Sequence, residues 1–572
     1  MQTTASVQFS RTTLIIAIAA IIFLMLTGCR QHSHDIIITN GIIYDGSGEA
    51  PQSGGLAIRD RRITHVGDLP EDLSAPEVID AAGKAVAPGF INMLSWAGVP
   101  LIEDGRSMSN IKQGVTLEVM GEGSSMGPLT DRMALIMEND QTDITYDVTW
   151  RTLEGFLEHL TNRGVSTNVA SFVGATTVRR YILGNENVSP TPSELEQMQQ
   201  LVRETMEQGA MGLSSALIYA PAWYADTGEL VALADAAADY GGLYATHLRS
   251  EGDRLLEAVE EMLEITEQAG IASHIHHLKA AGSDNRDKLD EVIERVERAQ
   301  ASGWDISANM YLYTAAATRL TATIPPWARE GGRQTMIERF QNPLIRERIL
   351  NEMESPDTGW ENFLQMVESP DDITLTGFRT EELQRFVGWT LSEVARGYYG
   401  LSPAETILEL IAEDDYTINA VYHLMSEENV RKKVQLPWVT FGSDSGSMAA
   451  EGLFLNRNPH PRAYGNFARL LGLYVRDEGL ITLQEAIRRM TSYPASLLGI
   501  DDERGKLETG CFADIVIFDP DEIQDHATYD QPHRYATGVS HVLVNGTPVL
   551  YEGEHTGSFP GMVVRGPGYV EQ

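Results

Sequence analysis

Cysteine and basic residues are both scarce in this chain. Its 572 residues contain only two cysteines, Cys29 and Cys511, which excludes a fold held together by a disulfide framework. Lysine and arginine together number 43 against 81 aspartates and glutamates, so the net charge is −38 at pH 7. Such a chain is repelled by phosphate backbones, and nucleic acid is therefore not expected as a partner. The hydrophobic fraction of 42% is nevertheless enough for a large buried core.

Long apolar runs are also rare, and the clearest one lies near the N-terminus. Leu14–Leu26 is short for a membrane span and typical of a signal peptide. The sequence Leu26-Thr27-Gly28-Cys29 that closes it resembles a bacterial lipobox. That resemblance implies removal of a 1–28 lipoprotein signal peptide, a lipid on Cys29 and a polar tether over 29–34. It places the mature protein in the bacterial cell envelope, anchored in the inner or the outer membrane. An uncleaved N-terminal anchor is the alternative.

Eight short apolar runs in the body of the chain predict parallel strands. Helical patterns such as 193–208 and 228–240 separate most of them. This alternation predicts an α/β fold, a (β/α)8 TIM-like barrel over residues 85–500. The stretch 320–436 is too long for one βα connection and indicates a helical insertion over the barrel mouth. The eight runs are Ala85–Met93, Val115–Met120, Thr167–Val173, Met211–Leu217, Gly242–His247, Ile271–His277, Trp304–Met310 and Trp438–Ser443.

Short strand patterns flank this body on both sides. Asp35–Ile43 and Leu56–Val66 precede it, and Asp514–Phe518 and His541–Gly546 follow it. We therefore predict one small β-sandwich formed by both chain ends, from residues 35–84 and 501–572.

Two consecutive strand runs end in histidine. Within 241–282 an apolar run ends in His247, an amphipathic helix follows, and a second run ends in His277, with Lys279 just beyond. The reactive groups of a barrel lie at the C-terminal ends of its strands, and imidazole is a common zinc ligand. We interpret His247 and His277 as two ligands of one metal; ordinary buried histidines are the alternative.

Further motifs give these histidines a family context. Together they resemble the amidohydrolase superfamily and, within it, the D-aminoacylase (N-acyl-D-amino-acid deacylase) group, over about 35–568. The resemblance implies a metal-dependent hydrolase acting on linear amide C–N bonds. The motifs are Ala87-Pro88-Gly89-Phe90-Ile91, Tyr244-Ala245-Thr246-His247, His277-Leu278-Lys279, Gly442-Ser443-Asp444, His460-Pro461-Arg462, Gly510-Cys511-Phe512-Ala513-Asp514 and Gly553-Glu554-His555-Thr556-Gly557.

The sequence departs from the family pattern at three strand ends. Where strand 1 of the family ends in His-x-His, this chain has Leu94 and Trp96, which have no lone pair to donate to a metal. A first metal position is therefore not expected. Glu122 stands in place of the family's cysteine after strand 2, and Ala175 in place of a histidine after strand 3. One carboxylate and two imidazoles remain for a single divalent metal, best Zn²⁺, with one position left for water. These ligands are Glu122, His247 and His277.

The resemblance also implies roles for the other site residues. Asp444 matches the family's catalytic aspartate, which takes a proton from the attacking water and gives it to the leaving amine. Lys279, Arg462 and Tyr311 match the groups that hold the α-carboxylate of the substrate. Tyr313 remains an alternative to Tyr311.

These assignments predict hydrolysis of N-acyl amino acids and, by resemblance alone, of their D forms. The products are a carboxylate and a free amino acid. Two alternatives stay open. The first is an amidohydrolase acting on an unusual dipeptide or a cyclic amide. The second is a non-enzymatic ligand-binding lipoprotein, in which the missing His-x-His marks a degenerate site.

Overall fold

A parallel barrel of eight strands forms the body of the protein. The computed structural model describes residues 32–356, 359–414 and 418–571, so the 1–28 signal peptide and Cys29 lie outside the described residues. Each strand pairs in parallel with the next, and Met93 N–H donates to the Phe441 carbonyl at 3.3 Å, which closes strand 8 onto strand 1. The predicted fold class is confirmed. Barrel strands 1 to 8 are Phe90–Asn92, Val115–Met120, Asn168–Ser171 with Val173–Gly174, Gly212–Ala216, Leu243–His247, Ser273–Ile275, Ile306–Met310 and Val439–Phe441.

Several barrel helices begin at ordinary capping signals. Thr191 and Glu194 form a capping box at the start of the helix Pro192–Glu207. Asp284 and Asn285 lie in a 3₁₀ turn, and the next helix begins at Lys288. The α-helices outside the insertion are Gly98–Glu103, Met108–Ile111, Asp131–Asn139, Leu153–Arg163, Ala175–Leu183, Pro192–Glu207, Thr227–Ala238, Leu255–Ala269, Lys288–Ala301, Glu427–Val434, Arg462–Arg469, Leu483–Met490 and Ser492–Leu497.

Strands from both chain ends form one nine-stranded sheet. The run expected as Ala85–Met93 is divided at Gly89, so Ala85–Pro88 belongs to this sheet and only Phe90–Asn92 belongs to the barrel. Side chains from these strands, including Ile38, Ile58 and Leu543, form a separate apolar core. The strands are Ile36–Ile43, Gln52–Arg59, Arg62–Gly67, Glu77–Asp80, Ala85–Pro88, Ile515–Phe518, Val539–Val544, Thr547–Tyr551 and Glu554–His555.

The last part of the chain returns from this sheet to the barrel. Gly561 N–H donates to the Val165 carbonyl at 2.8 Å, and Val564 N–H donates to the Val169 carbonyl at 2.9 Å. The C-terminal segment therefore braces the N-terminal end of barrel strand 3, on the side opposite the mouth.

The insertion runs from Ala315 to His423 and contains a sheet as well as the expected helices, whereas the helix Glu427–Val434, inside the expected range 320–436, packs into the barrel core. The strands Ala315–Arg319, Asn419–His423 and Ile373–Gly377 pair antiparallel in that order. The insertion has its own apolar core, which reaches Ile218 and Tyr311 at the barrel mouth. It therefore covers the ends of strands 4 and 7. Its α-helices are Pro326–Arg329, Arg333–Gln341, Pro343–Met353, Phe363–Met366, Leu391–Val394 and Pro403–Glu413. Among the helices of the described ranges, none is both long and apolar enough to span a bilayer.

Candidate active site

Glu122, His247 and His277 converge at the C-terminal ends of barrel strands 2, 5 and 6. Glu122 Oε1 lies 3.2 Å from His247 Nδ1 and 2.9 Å from His277 Nε2. All three side chains are buried, and their candidate ligand atoms lie within 4.8 Å of one another. Within the described parts of the chain, this is the only such group of three His, Cys, Asp or Glu residues. One carboxylate and two imidazoles fit a catalytic zinc that keeps a position for water.

Two glycines position Glu122. Gly121 and Gly123 both have positive φ, at 98° and 60°. A Cβ added at Gly121 would lie 2.5 Å from the Phe172 carbonyl oxygen, and one at Gly123 would lie 2.4 Å from Ala216 Cβ. Side chains at these two positions would force the loop away from strands 3 and 4. The glycine pair therefore holds Glu122 over the barrel mouth.

Electrostatics favour a negative Glu122 and a positive His277 in the metal-free protein. Burial alone raises the pKa of Glu122, but the charge of His277 and the hydrogen bond from His247 outweigh it and hold that pKa well below its usual range. Burial and the Lys279 ammonium lower the pKa of His277. The carboxylates of Glu251 and Glu122 outweigh both and raise that pKa to about 9. A divalent cation would replace the proton on His277 and meet an ionised Glu122.

Asp444 lies at the end of strand 8 with a donor group at each carboxylate oxygen. Trp96 Nε1 donates to Oδ1 at 3.0 Å, and Arg462 Nη1 lies 2.8 Å from Oδ2. The Asp444 backbone is left-handed, with φ 47°, which is uncommon for a residue other than glycine and frequent at functional sites. Trp96 is 48% exposed, whereas Leu94 is buried. The hydrogen bond from its indole N–H holds the Trp96 ring beside Asp444.

The expected carboxylate-binding residues lie in the same region. Arg462 Cζ lies 4.3 Å from the centre of the Tyr311 ring, and Lys279 Nζ lies 5.6 Å from it. Tyr313 instead contacts Arg469 and His460. The Tyr311 hydroxyl, the Tyr313 hydroxyl and Arg462 Nε are all buried without a hydrogen-bond partner. Buried donors without partners are costly, and a carboxylate bound beside Arg462 would satisfy Arg462 and the tyrosine that contacts it, Tyr311. The geometry favours Tyr311 over Tyr313.

Comparison with known proteins shows which family the chain belongs to. The amidohydrolase family model matches residues 77–550. The chain belongs to the amidohydrolase family.

Its relatives include a D-aminoacylase and N-acyl-D-amino-acid deacylases. The D-aminoacylase of Alcaligenes xylosoxydans xylosoxydans is 30% identical over 93% of this chain and 97% of its own length. The N-acyl-D-glutamate deacylase of the same organism is 30% identical over 91% and 94%. An N-acyl-D-glutamate deacylase of Bordetella bronchiseptica, solved with zinc and a phosphonate mimic of the tetrahedral intermediate, has a TM-score of 0.77 at 29% identity, covering 93% of this chain and 99% of that one. The expected family and the expected class, a hydrolase of amide C–N bonds, are confirmed.

Glu251 is a site residue of this amidohydrolase that sequence reasoning missed. Its Oε1 accepts a hydrogen bond from Lys279 Nζ at 2.6 Å and lies 3.0 Å from His277 Nδ1. Burial raises the pKa of Glu251, but Lys279 and the two histidines outweigh it and hold the carboxyl ionised. Lys279, expected to help hold the α-carboxylate of the substrate, therefore also pairs with a protein carboxylate. The available signal was position, since Glu251 lies four residues after His247.

A second missed group fixes the His277 backbone of this amidohydrolase from inside the barrel. Asn309 Oδ1 accepts the His277 N–H at 2.6 Å. Asn309 Nδ2 lies 3.0 Å from His274 Nε2 and 3.0 Å from His276 Nδ1. Burial lowers the pKa of His276 to about 3, so its ring is neutral and can accept from the amide. His276 Nε2 in turn lies 3.4 Å from Ser214 Oγ.

A third missed group fixes the residue before Asp444. Asn92 Oδ1 accepts the Ser443 N–H at 2.8 Å, and Asn92 Nδ2 donates to Glu118 at 2.9 Å. Glu118 also accepts from Ser107 and Asn110, and burial raises its pKa. Each of these buried side chains makes at least one hydrogen bond, so the network holds Ser443, and with it the strand end that carries Asp444, in one conformation.

Proposed function

We propose that the protein hydrolyses N-acyl-D-amino acids, with one zinc ion at Glu122, His247 and His277. The observation that carries the proposal is the convergence of those three side chains beside Asp444, whose charge acts on His277. The relatives named above support the D configuration. Two of them, the D-aminoacylase and the N-acyl-D-glutamate deacylase, share the same 30% identity with this chain, so the test compares several side chains.

The three ligands suit the chemistry of amide hydrolysis. A zinc ion held there would lower the pKa of a water molecule towards neutrality and polarise the scissile carbonyl. Asp444 takes a proton from the attacking water as the water oxygen bonds to the carbonyl carbon. The same carboxyl then gives that proton to the leaving nitrogen as the C–N bond breaks. The products are the carboxylate and the free amino acid.

The carboxylate-binding residues orient the substrate for this attack. The Arg462 guanidinium and the Tyr311 hydroxyl have donors free for the α-carboxylate, and Lys279 adds a positive charge. In a chain with a net charge of −38, these cations offer a local attraction for an anionic substrate. Binding at this end fixes the distance between the amide bond and Asp444.

The experiment compares N-acetyl-D-leucine, N-acetyl-D-glutamate and N-acetyl-D-aspartate with their L forms, and follows the release of free amine. Zinc-loaded protein is expected to release amine from at least one D substrate and to discriminate against its L form. The His277→Ala variant is expected to lose both zinc and turnover. Release from none of these substrates by protein that holds one zinc would refute the substrate assignment. Turnover of dipeptides or hydantoins alone would favour a different amide.

The proposal also covers the cellular location of the protein. We propose that the chain is exported and carries a lipid on Cys29, supported by the apolar run and the lipobox-like Leu26-Thr27-Gly28-Cys29. Wild-type protein is then expected in the membrane fraction, and mass spectrometry of its N-terminal peptide should show the acylated cysteine. The Cys29→Ala variant should lack the lipid. An unmodified Cys29 behind an intact N-terminus would refute the anchor.

A further inference from the structure

The carboxylate of Glu251 lies beside both candidate histidine ligands, at the ring nitrogens that do not face Glu122. We infer that Glu251 is a positioning residue that orients His247 and His277 for the metal and raises zinc affinity. The inference rests on the zinc site proposed above, and it adds a residue that does not itself touch the ion.

The geometry assigns the two faces of each imidazole. His247 Nδ1 and His277 Nε2 face Glu122, at 3.2 and 2.9 Å from its Oε1. The other nitrogen of each ring faces Glu251. His277 Nδ1 lies 3.0 Å from Glu251 Oε1, and His247 Nε2 lies 3.6 Å from Oε2. One oxygen of Glu251 therefore lies at hydrogen-bond distance from His277, and the other lies opposite His247 at a longer distance; the side chain is itself buried.

The chemistry of a metal-bound imidazole requires such an acceptor. A histidine that gives one nitrogen to a metal carries its proton on the other, and a carboxylate there fixes the tautomer and the ring orientation and increases ligand basicity. Two groups lie within 3.0 Å of His277 Nδ1, namely Lys279 Nζ and Glu251 Oε1. Only the carboxylate can accept a hydrogen bond from a protonated Nδ1. His247 Nε2 is buried without a hydrogen-bond partner, and its nearest carboxylate oxygen belongs to Glu251.

Glu251 is itself held on two sides. Lys279 Nζ donates to its Oε1 at 2.6 Å, and its backbone N–H donates to Glu361 Oε1 at 3.0 Å. The Lys279 ammonium offsets the cost of keeping the carboxylate ionised and buried. Glu361, which comes from the insertion, touches the backbone of Glu251 and makes no hydrogen bond to either histidine. It therefore offers a matched control.

The test measures Zn²⁺ affinity by competition with a fluorescent chelator, without any substrate. Glu251→Gln keeps the shape of the side chain and removes its charge, so zinc affinity should fall by about 10- to 100-fold. Lys279→Gln leaves the carboxylate in place and should bind zinc at least as tightly as wild type. Glu361→Gln should stay within about twofold of wild type. Thermal unfolding of the metal-free proteins separates a loss of fold from a loss of affinity.

A second variant covers the case in which Glu251→Gln does not fold because Lys279 is left unpaired. The double variant Glu251→Gln/Lys279→Gln removes one charge of each sign and should fold with the same weakened zinc binding. Folded variants lacking the Glu251 carboxylate that bind zinc within twofold of wild type would overturn the inference. So would an equal loss of affinity in Glu361→Gln. Both outcomes leave the proposed hydrolysis intact, because turnover at saturating zinc is measured independently.

Discussion

Replacing Asp444 by asparagine should separate catalysis from metal binding. Asp444 is not one of the three converging ligands, so Asp444→Asn should retain one zinc per chain. The amide oxygen can still accept from Trp96 Nε1, but the ion pair with Arg462 is lost. An amide cannot take a proton from water, and general acid–base catalysis contributes about 10²- to 10⁴-fold. We therefore expect kcat to fall by that factor, about 3 to 5 kcal/mol in activation free energy.

The assay combines kcat on the best N-acetyl-D-amino acid with zinc content measured on the same sample. A matched control is Asp143→Asn, because Asp143 also pairs with an arginine, Arg457 Nε at 2.9 Å, but lies outside the group of ligands. The control should keep kcat within about threefold of wild type, since it touches no reacting group. An Asp444→Asn variant with more than a tenth of the wild-type kcat would refute the role assigned to Asp444. Loss of zinc from that variant would show that Asp444 is a ligand.

Three further predictions follow from the structure. Tyr311→Phe should raise KM about fivefold, the loss expected for one hydrogen bond, because Tyr311 contacts Arg462. Tyr313→Phe should leave KM unchanged, because Tyr313 contacts Arg469 instead. Equal KM values in the two variants would contradict the assignment. Protein dialysed against excess zinc should still hold one ion in the site, because Leu94 and Trp96 provide no ligands, and a second tightly bound zinc would refute this. Burial, with the charge of a neighbouring carboxylate, raises the pKa of Glu361 to about 7 from 4.5, so the stability it confers is present below pH 4.5 and is lost as pH rises through 7. Glu361→Gln should remove that loss, up to about 3 kcal/mol, and its melting temperature relative to wild type should rise between pH 5 and pH 8; an unchanged difference would show that Glu361 is not buried as a neutral acid.

The fold was predictable because its pattern is local and repeated. Each barrel strand is an apolar run followed by a helix, and the runs ending in His247 and His277 show this most clearly. The sheet inside the insertion was missed for the opposite reason. Its strands Ala315–Arg319, Ile373–Gly377 and Asn419–His423 are five residues each and lie far apart in sequence, so no short-range pattern links them.

The candidate ligands were predictable, whereas the groups that orient them were not. Glu122 follows an apolar strand and lies between two glycines, and a carboxylate in that position is visible in the sequence as a candidate ligand. Glu251 looks like an acidic residue near the start of an amphipathic helix, and only the folded chain shows it against two imidazoles. Asn309 and Glu118 are polar residues within buried strands. Their partners are set by barrel closure, which brings distant strands together.

The most direct test of the account is a zinc titration of chelator-treated protein, followed by amine release from an N-acyl-D-amino acid. The account predicts that activity rises linearly to a plateau at one equivalent of zinc. It also predicts that the His277→Ala variant, at the same zinc concentration, neither binds the ion tightly nor turns over substrate. Full activity in the metal-free protein, or a plateau reached only at two equivalents, would contradict a single catalytic zinc at Glu122, His247 and His277.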